Sequence, residues 1–185
     1  MKVLVFDRCS TGDFSENTIA EMIPDSAIIK DGKPFFIPAS APGWRYSCGV
    51  AVRVCRLGKN VSEKFAPRYI DAYAPCVTTV PDGISGFNAL NRCHEGGVII
   101  GEWRSPEECG TRFDFLTSAG DSVSVGIDKA MAASMVALIG HRGVLKIGDI
   151  IIMNEDFLAA DLPVDTRISA VAGTDGADVL GFSVK

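Results

Sequence analysis

Residues 45–59 read Arg-Tyr-Ser-Cys-Gly-Val-Ala-Val-Arg-Val-Cys-Arg-Leu-Gly-Lys, and the fold follows from how they are read. The run Val50-Ala51-Val52-Arg53-Val54 is β-branched and apolar enough for a buried strand, and the Leu57-Gly58-Lys59-Asn60 after it carries turn residues. Cys48 falls on the face opposite Ser47, which assigns it to a core rather than to a reactive site.

Outward from this strand, short apolar runs alternate with turn chemistry. Met1–Asp7 predicts a first strand, and Arg8–Thr18 a polar loop. Asn17 or Thr18 can cap a helical turn over Ile19–Met22, stopped by Pro24. Ser26–Ile29 and Pro34–Pro38 read as a hairpin about Asp31-Gly32. Ser62 is placed to cap a short helix through Ile70, Tyr73–Val80 returns as a strand, and Pro81–Leu90 is a loop. Further strands are expected at Val98–Ile100, at Phe113–Thr117 with Ser122–Val125, at Ile150–Met153, and in a closing pair, Arg167–Val171 with Val179–Val184. The one long helical pattern is Asp128–His141, with Ala130, Met131, Met135, Leu138 and Ile139 on a stripe. Together these make an α+β, mainly β domain over residues 1–185, with no repeat or linker.

The chain has 185 residues, 47% of them hydrophobic and 22% charged, enough to bury a core as one domain. A net charge of −5 argues against nucleic acid or an anionic membrane as partner, because both need clustered Lys and Arg. Only four apolar residues separate Lys2 from Asp7, too few for the ~7–15 of a signal segment, so a cytoplasmic protein is expected. Six dispersed cysteines (Cys9, Cys48, Cys55, Cys76, Cys93 and Cys109) show no C-x2-C spacing and read as small core hydrophobes.

In this order the chain resembles the fumarylacetoacetate hydrolase family, in the short single-domain form. The resemblance rests on Pro24-Asp25-Ser26-Ala27 with Lys33–Pro38, on Val52–Val54 through Leu57–Val61, on Glu63-Lys64-Phe65-Ala66 with Tyr69 and Asp71, on Gly101-Glu102-Trp103, and on Leu145–Ile151. It implies a mixed β-roll, barrel-like fold, a homodimer, and a Mg2+ or Mn2+ ion held by a Glu-x-Glu pair and a downstream Asp, catalysing C–C hydrolysis, isomerisation or decarboxylation of diketo or 2-oxo acids.

Aligned on Tyr46 and Leu57-Gly58-Lys59, the three ligand positions fall on Ser47, Gly49 and Thr78, none of which is a carboxylate. The family's Gly-Thr-Pro signature becomes Asn154-Glu155-Asp156, its lysine becomes Arg92, and no His lies between Met1 and Gly43. The expectation is therefore a fumarylacetoacetate hydrolase-like protein without metal or cofactor, a catalytically inactive homologue with a binding or structural role. Arg92 and His94 are the candidates for a remnant pocket that takes a small organic acid. The alternative is an enzyme with a relocated metal site, drawn from Glu102, Asp114, Asp149, Glu155, Asp156 and Asp161. Each of these carboxylates also reads as an ordinary turn or surface residue, and His141 as a cation in the last turn of the helix.

Overall fold

The computed structural model describes residues 1–7, 20–30, 32–82, 90–154 and 161–185. They form strands β1 (Val3–Phe6), β2 (Ala20–Ile23), β3 (Ile28–Lys30), β4 (Trp44–Val54), β5 (Ile70–Pro81), β6 (Val98–Ile100), β7 (Arg112–Thr117) and β8 (Ser122–Gly126). Helix α1 (Lys129–Arg142) and strands β9 (Ile150–Asn154), β10 (Arg167–Ala172) and β11 (Asp178–Ser183) complete them. The mainly β class and barrel-like architecture read from the sequence are borne out.

The predicted strand at residues 50–54 is the second half of the eleven-residue β4. It pairs antiparallel with β5 from Trp44↔Pro81 to Val54↔Ile70 and with β9 on its other side. The sheet runs β2-β1-β9-β4-β5-β6-β3. Pro75 is tolerated in β5 although it lacks an N–H. Its carbonyl accepts from Gly101, so its nitrogen faces the same way, beyond Ile100, where β6 ends.

One face of this sheet buries Val3, Val5, Ile23, Ala51, Ala74, Cys76, Val98, Ile100, Ile150 and Ile152, with Ala27. Nearly all of these side chains belong to the sheet's own strands, so the sheet curls and covers itself. Its edges β2 and β3 are joined by the 3-10 turn Asp25–Ala27. Small side chains at Ala51, Ala74 and Cys76 let the curl close, as the tight interior of a small barrel requires. The outer face packs Val50, Val52, Tyr73, Val77 and Ile151 against α1 and a second sheet, β11-β10-β7-β8.

Four local expectations need correction. Residues 20–22 belong to β2, not to a helical turn: a single turn is costly to nucleate, whereas pairing with β1 satisfies the backbone. Ile19 and the 8–18 loop lie outside the described residues. The 26–38 stretch is not a hairpin, because β3 pairs parallel with β6 and Phe35 bridges Val184. Burial of Ile29 and Phe35 against other parts of the chain overrides the local turn signal. Between Ser62 and Ile70 a turn closed on the Ser62 carbonyl leads into the 3-10 turn Ala66–Tyr69, which is entered from Phe65 with no side-chain cap. In α1, Asp128 is the N-cap, accepting from Met131 N–H, but the buried face is Ala132, Ala133, Met135, Val136, Ala137 and Gly140, leaving Ala130 exposed. Gly140 lies against Val61, where an added Cβ would sit 3.1 Å from the valine Cβ, so the helix is drawn in on its small residues.

Asp149 ties the chain start to the β9 turn. Its carboxylate accepts from Lys2 N (2.8 Å), Lys2 Nζ (2.6 Å) and Lys146 N (2.8 Å). Burial alone would push this carboxyl up, but the bonds from Lys2 and Lys146 hold it below the ordinary range. A depressed carboxylate stabilises the fold above its unfolded pKa of about 3.9 and loses that contribution as pH falls through the folded value. Asp149→Asn is expected to cost roughly 2 kcal/mol in urea unfolding at pH 7, with the gap to the unaltered protein closing as pH drops below about 4.

Candidate functional site

Cross-strand partners share a face, so the ladder determines which side chains meet at the end of the inner core. Ser47 pairs with Thr78, and Gly49 pairs with Cys76 on one side and Asn154 on the other. Asp7 follows Phe6, the partner of Met153, and Glu21 pairs with Val5, so both belong to this face. At this mouth of the curled sheet the apolar interior gives way to Asp7, Glu21, Ser47, Thr78, Arg92 and Asn154.

Asn154 is fully buried and reaches across Gly49. Its Nδ2 donates to Thr78 Oγ1 (3.0 Å) and to Asp7 Oδ1 (2.8 Å). A Cβ on Gly49 would lie 2.6 Å from Asn154 Oδ1 and 2.5 Å from the Met153 carbonyl. The Met153 backbone and the Asn154 side chain both restrict this position to glycine. Arg92, 3% exposed, donates through Nη2 to both Asp7 oxygens at 3.1 Å and through Nη1 to Glu21. Burial pushes the Glu21 carboxyl up, against the pull of Arg92. One oxygen each of Glu21 and Asn154 has no hydrogen-bond partner among the described residues.

This donor set does not fit a hard dication. Such an ion needs converging oxygens with compensating negative charge. Here the positions that the resemblance assigns to ligands carry two hydroxyls and a bare Cα, an amide N–H is aimed between Thr78 and Asp7, and the two nearby carboxylates already face a guanidinium.

His94 contacts a different set of groups from those around Arg92. Its Nε2 lies 2.8 Å from Thr79 Oγ1, whose hydroxyl donates to the Gly96 carbonyl (2.7 Å), and its ring stands edge-on to Trp44 at 4.5 Å. Thr78 and Thr79 are adjacent in β5 and point to opposite faces, so they carry Arg92's neighbours and His94 apart. Burial, opposed by a bond to the Asn91 backbone and reinforced by the Arg92 charge, lowers the His94 pKa to about 4. Cys48 is in the outer core, and burial pushes its thiol up to about 12.

Among the described residues no group of three His, Cys, Asp or Glu side chains converges as a metal site. Asp149 is bound by Lys2, Asp114 by Arg112 and Ser124, and Glu102 by Arg104. Asp161 forms an antiparallel backbone bridge with Arg45 beside a groove, while Glu155 and Asp156 lie outside the described residues. Sequence reasoning missed Asp7 and Glu21. Alternation along Val3-x-Val5-x-Asp7 could have placed Asp7, and reading residues 20–23 as a strand could have placed Glu21.

No family model and no curated protein matches this sequence. Solved structures match across the whole fold. The fumarylpyruvate hydrolase of Pseudomonas aeruginosa in complex with Mn2+ and pyruvate superposes with a TM-score of 0.80 at 13% identity, covering 100% of this chain and 89% of that one. The 5-carboxymethyl-2-hydroxymuconate delta-isomerase of Mycobacterium smegmatis gives 0.78 at 16%, covering 99% and 78%. A Yersinia pestis CO92 protein proposed to belong to the fumarylacetoacetate hydrolase family gives 0.80 at 14%, covering 100% and 92%. The chain has the fold of these proteins.

Gly49→Ala is expected to lose roughly 2–3 kcal/mol of stability from the overlap with Asn154 and Met153. Adding Asn154→Gly should recover part of that loss, giving a positive coupling in a double-mutant cycle read by urea unfolding. A second expectation concerns His94. The unfolded ring binds a proton below about pH 6.5 and the folded one only below about 4, so stability falls as pH drops through that window. His94→Phe should flatten that pH dependence, and NMR titration should show the His94 ring neutral at pH 5.

Proposed function

We propose that this chain belongs to the fumarylacetoacetate hydrolase family as a member whose metal centre has been replaced by groups of its own, leaving a catalytically inactive protein with a binding or structural role and, as the commonest closed assembly, a homodimer. One observation carries this reading: Gly49 and Asn154 are paired across β4 and β9, and a side chain at 49 would overlap both the Asn154 amide and the Met153 carbonyl. Where the resemblance implies a ligand carboxylate at 49 opposite a glycine at 154, this chain has glycine opposite asparagine. Two departures at one cross-strand pair keep the mouth packed, with the Asn154 amide donating to Thr78 and Asp7.

Arg92 completes the replacement. Its charge lies between Asp7 and Glu21, so a fixed cation already serves both carboxylates. A small organic acid at this mouth would have to displace one of them from the guanidinium, against the net negative charge of the group. We therefore favour a filled site over one that takes the acid expected from sequence alone.

The test is Mn2+ titration by calorimetry and by electron paramagnetic resonance of free Mn2+. The unaltered protein is expected to leave Mn2+ unbound at micromolar concentration, and binding at that strength would sink the reading. Ser47→Glu, Gly49→Glu and Thr78→Asp combined with Asn154→Gly should gain binding, whereas the same three carboxylates with Asn154 retained should not.

A further inference from the structure

At the end of the sheet opposite this mouth, three loops are hydrogen-bonded together. Gly58 and Leu145 exchange backbone bonds in an antiparallel bridge, Asn60 N–H donates to Gly140, Val54 N–H donates to Asp149, and Lys2 Nζ donates to the Val144 carbonyl. Segments 1–2, 53–71 and 141–149 therefore share one surface. They hold eight Lys or Arg and three Asp or Glu, a net charge of +5, while the remainder holds ten against twenty, a net charge of −10. The composition hides this polarity, because the whole chain sums to −5.

Of the three carboxylates, Asp149 is committed to Lys2 and Asp71 to Arg53. Among the described residues, Arg56, Lys59, Lys64, Arg68, Arg142 and Lys146 form no ion pair, leaving Glu63 as the one acidic counterweight outside those pairs. Apolar side chains stand among these cations. Leu57 is 69% exposed and Ile147 72%, each at a turn, and Phe65 lies beneath Arg68 and Lys64. The Gly58–Leu145 bridge sets Leu57 beside Lys146 and Lys59 beside Val144, so cation and hydrocarbon alternate across the two turns.

We infer that this end of the molecule docks an acidic segment of another protein, one in which carboxylates alternate with large apolar residues. The charge calls for carboxylates, and the protruding Leu57 and Ile147 call for apolar partners that a phosphate backbone lacks. An extended anionic bilayer would also meet the field of the strongly acidic remainder. A compact segment can sit within a screening length, about 10 Å at 0.1 M salt, of the basic turns alone. Docking the acidic part of a second copy here would be head-to-tail and would not close into a dimer. The inference is independent of the mouth and stands whether or not a metal binds there.

The test measures fluorescence anisotropy of a labelled peptide of about a dozen residues repeating Glu-Leu-Asp-Phe, titrated with the full chain at low and physiological salt. Saturable binding that weakens with salt is expected. Arg56→Glu with Lys146→Glu, and separately Leu57→Ser with Ile147→Ser, should each weaken it by about tenfold or more. All four positions are exposed, and circular dichroism checks that the variants fold. Parallel titrations use phosphatidylserine–phosphatidylcholine vesicles and a single-stranded oligonucleotide of similar length. No peptide binding, peptide binding unchanged in both variants, or tighter binding to vesicles or oligonucleotide would each overturn the inference.

Discussion

The antiparallel ladder between β4 and β5 is the constraint on which the other elements depend. It runs from Trp44↔Pro81 to Val54↔Ile70, and β9 and β6 attach to its two sides. Because side chains alternate with period two, a one-residue slip would carry Ala51 and Ala74 out of the inner core and bring Val50 and Val52 in. The curled interior has room for the small set only, so packing and register enforce one another. The same register delivers Ser47, Gly49 and Thr78 to one mouth, whether or not chemistry happens there.

At that mouth two carboxylates are kept in a mostly buried place by a guanidinium and an amide. Without Arg92, Asp7 and Glu21 would be two like charges with nothing between them. A buried guanidinium and an amide are a physically sufficient answer, since each carboxylate gains donors and the cavity gains volume. The answer is incomplete in one respect: a Glu21 oxygen and the Asn154 carbonyl oxygen keep no partner among the described residues, so some desolvation cost is retained.

Much of this was legible in the chain. The strands at 3–6, 98–100, 150–153 and the two late hairpins announce themselves by β-branched runs and by turns such as Ser118–Asp121. Helix α1 announces itself by Asp128 and its alanines. What failed was where short segments found partners far away: β2 beside β1, β3 beside β6, Phe35 beside Val184. Local propensity over three or four residues carries no information about such neighbours. That no carboxylate stands at 47, 49 or 78, the positions the resemblance assigns to ligands, was visible in the sequence. Asn154 crossing Gly49 was not, because it needs the register between β4 and β9. His94 and Arg92, two residues apart, looked like one pocket and lie among different neighbours, because β5 turns Thr78 and Thr79 to opposite sides.

The two edges of the curled sheet, β2 and β3, are consecutive in the chain and separated only by Pro24 and the 3-10 turn Asp25–Ala27. No ladder joins them among the described residues, so the roll is a clasp with a covalent hinge at one end of its seam. Prying it open along that line breaks no strand pairing and exposes Ile23, Val98 and Ile100 first. Along the seam the inner core is thus guarded by a short loop at one end and by the ion pairs of Arg92 with Glu21 and Asp7 at the other, where the rest of the circumference is guarded by strand pairing.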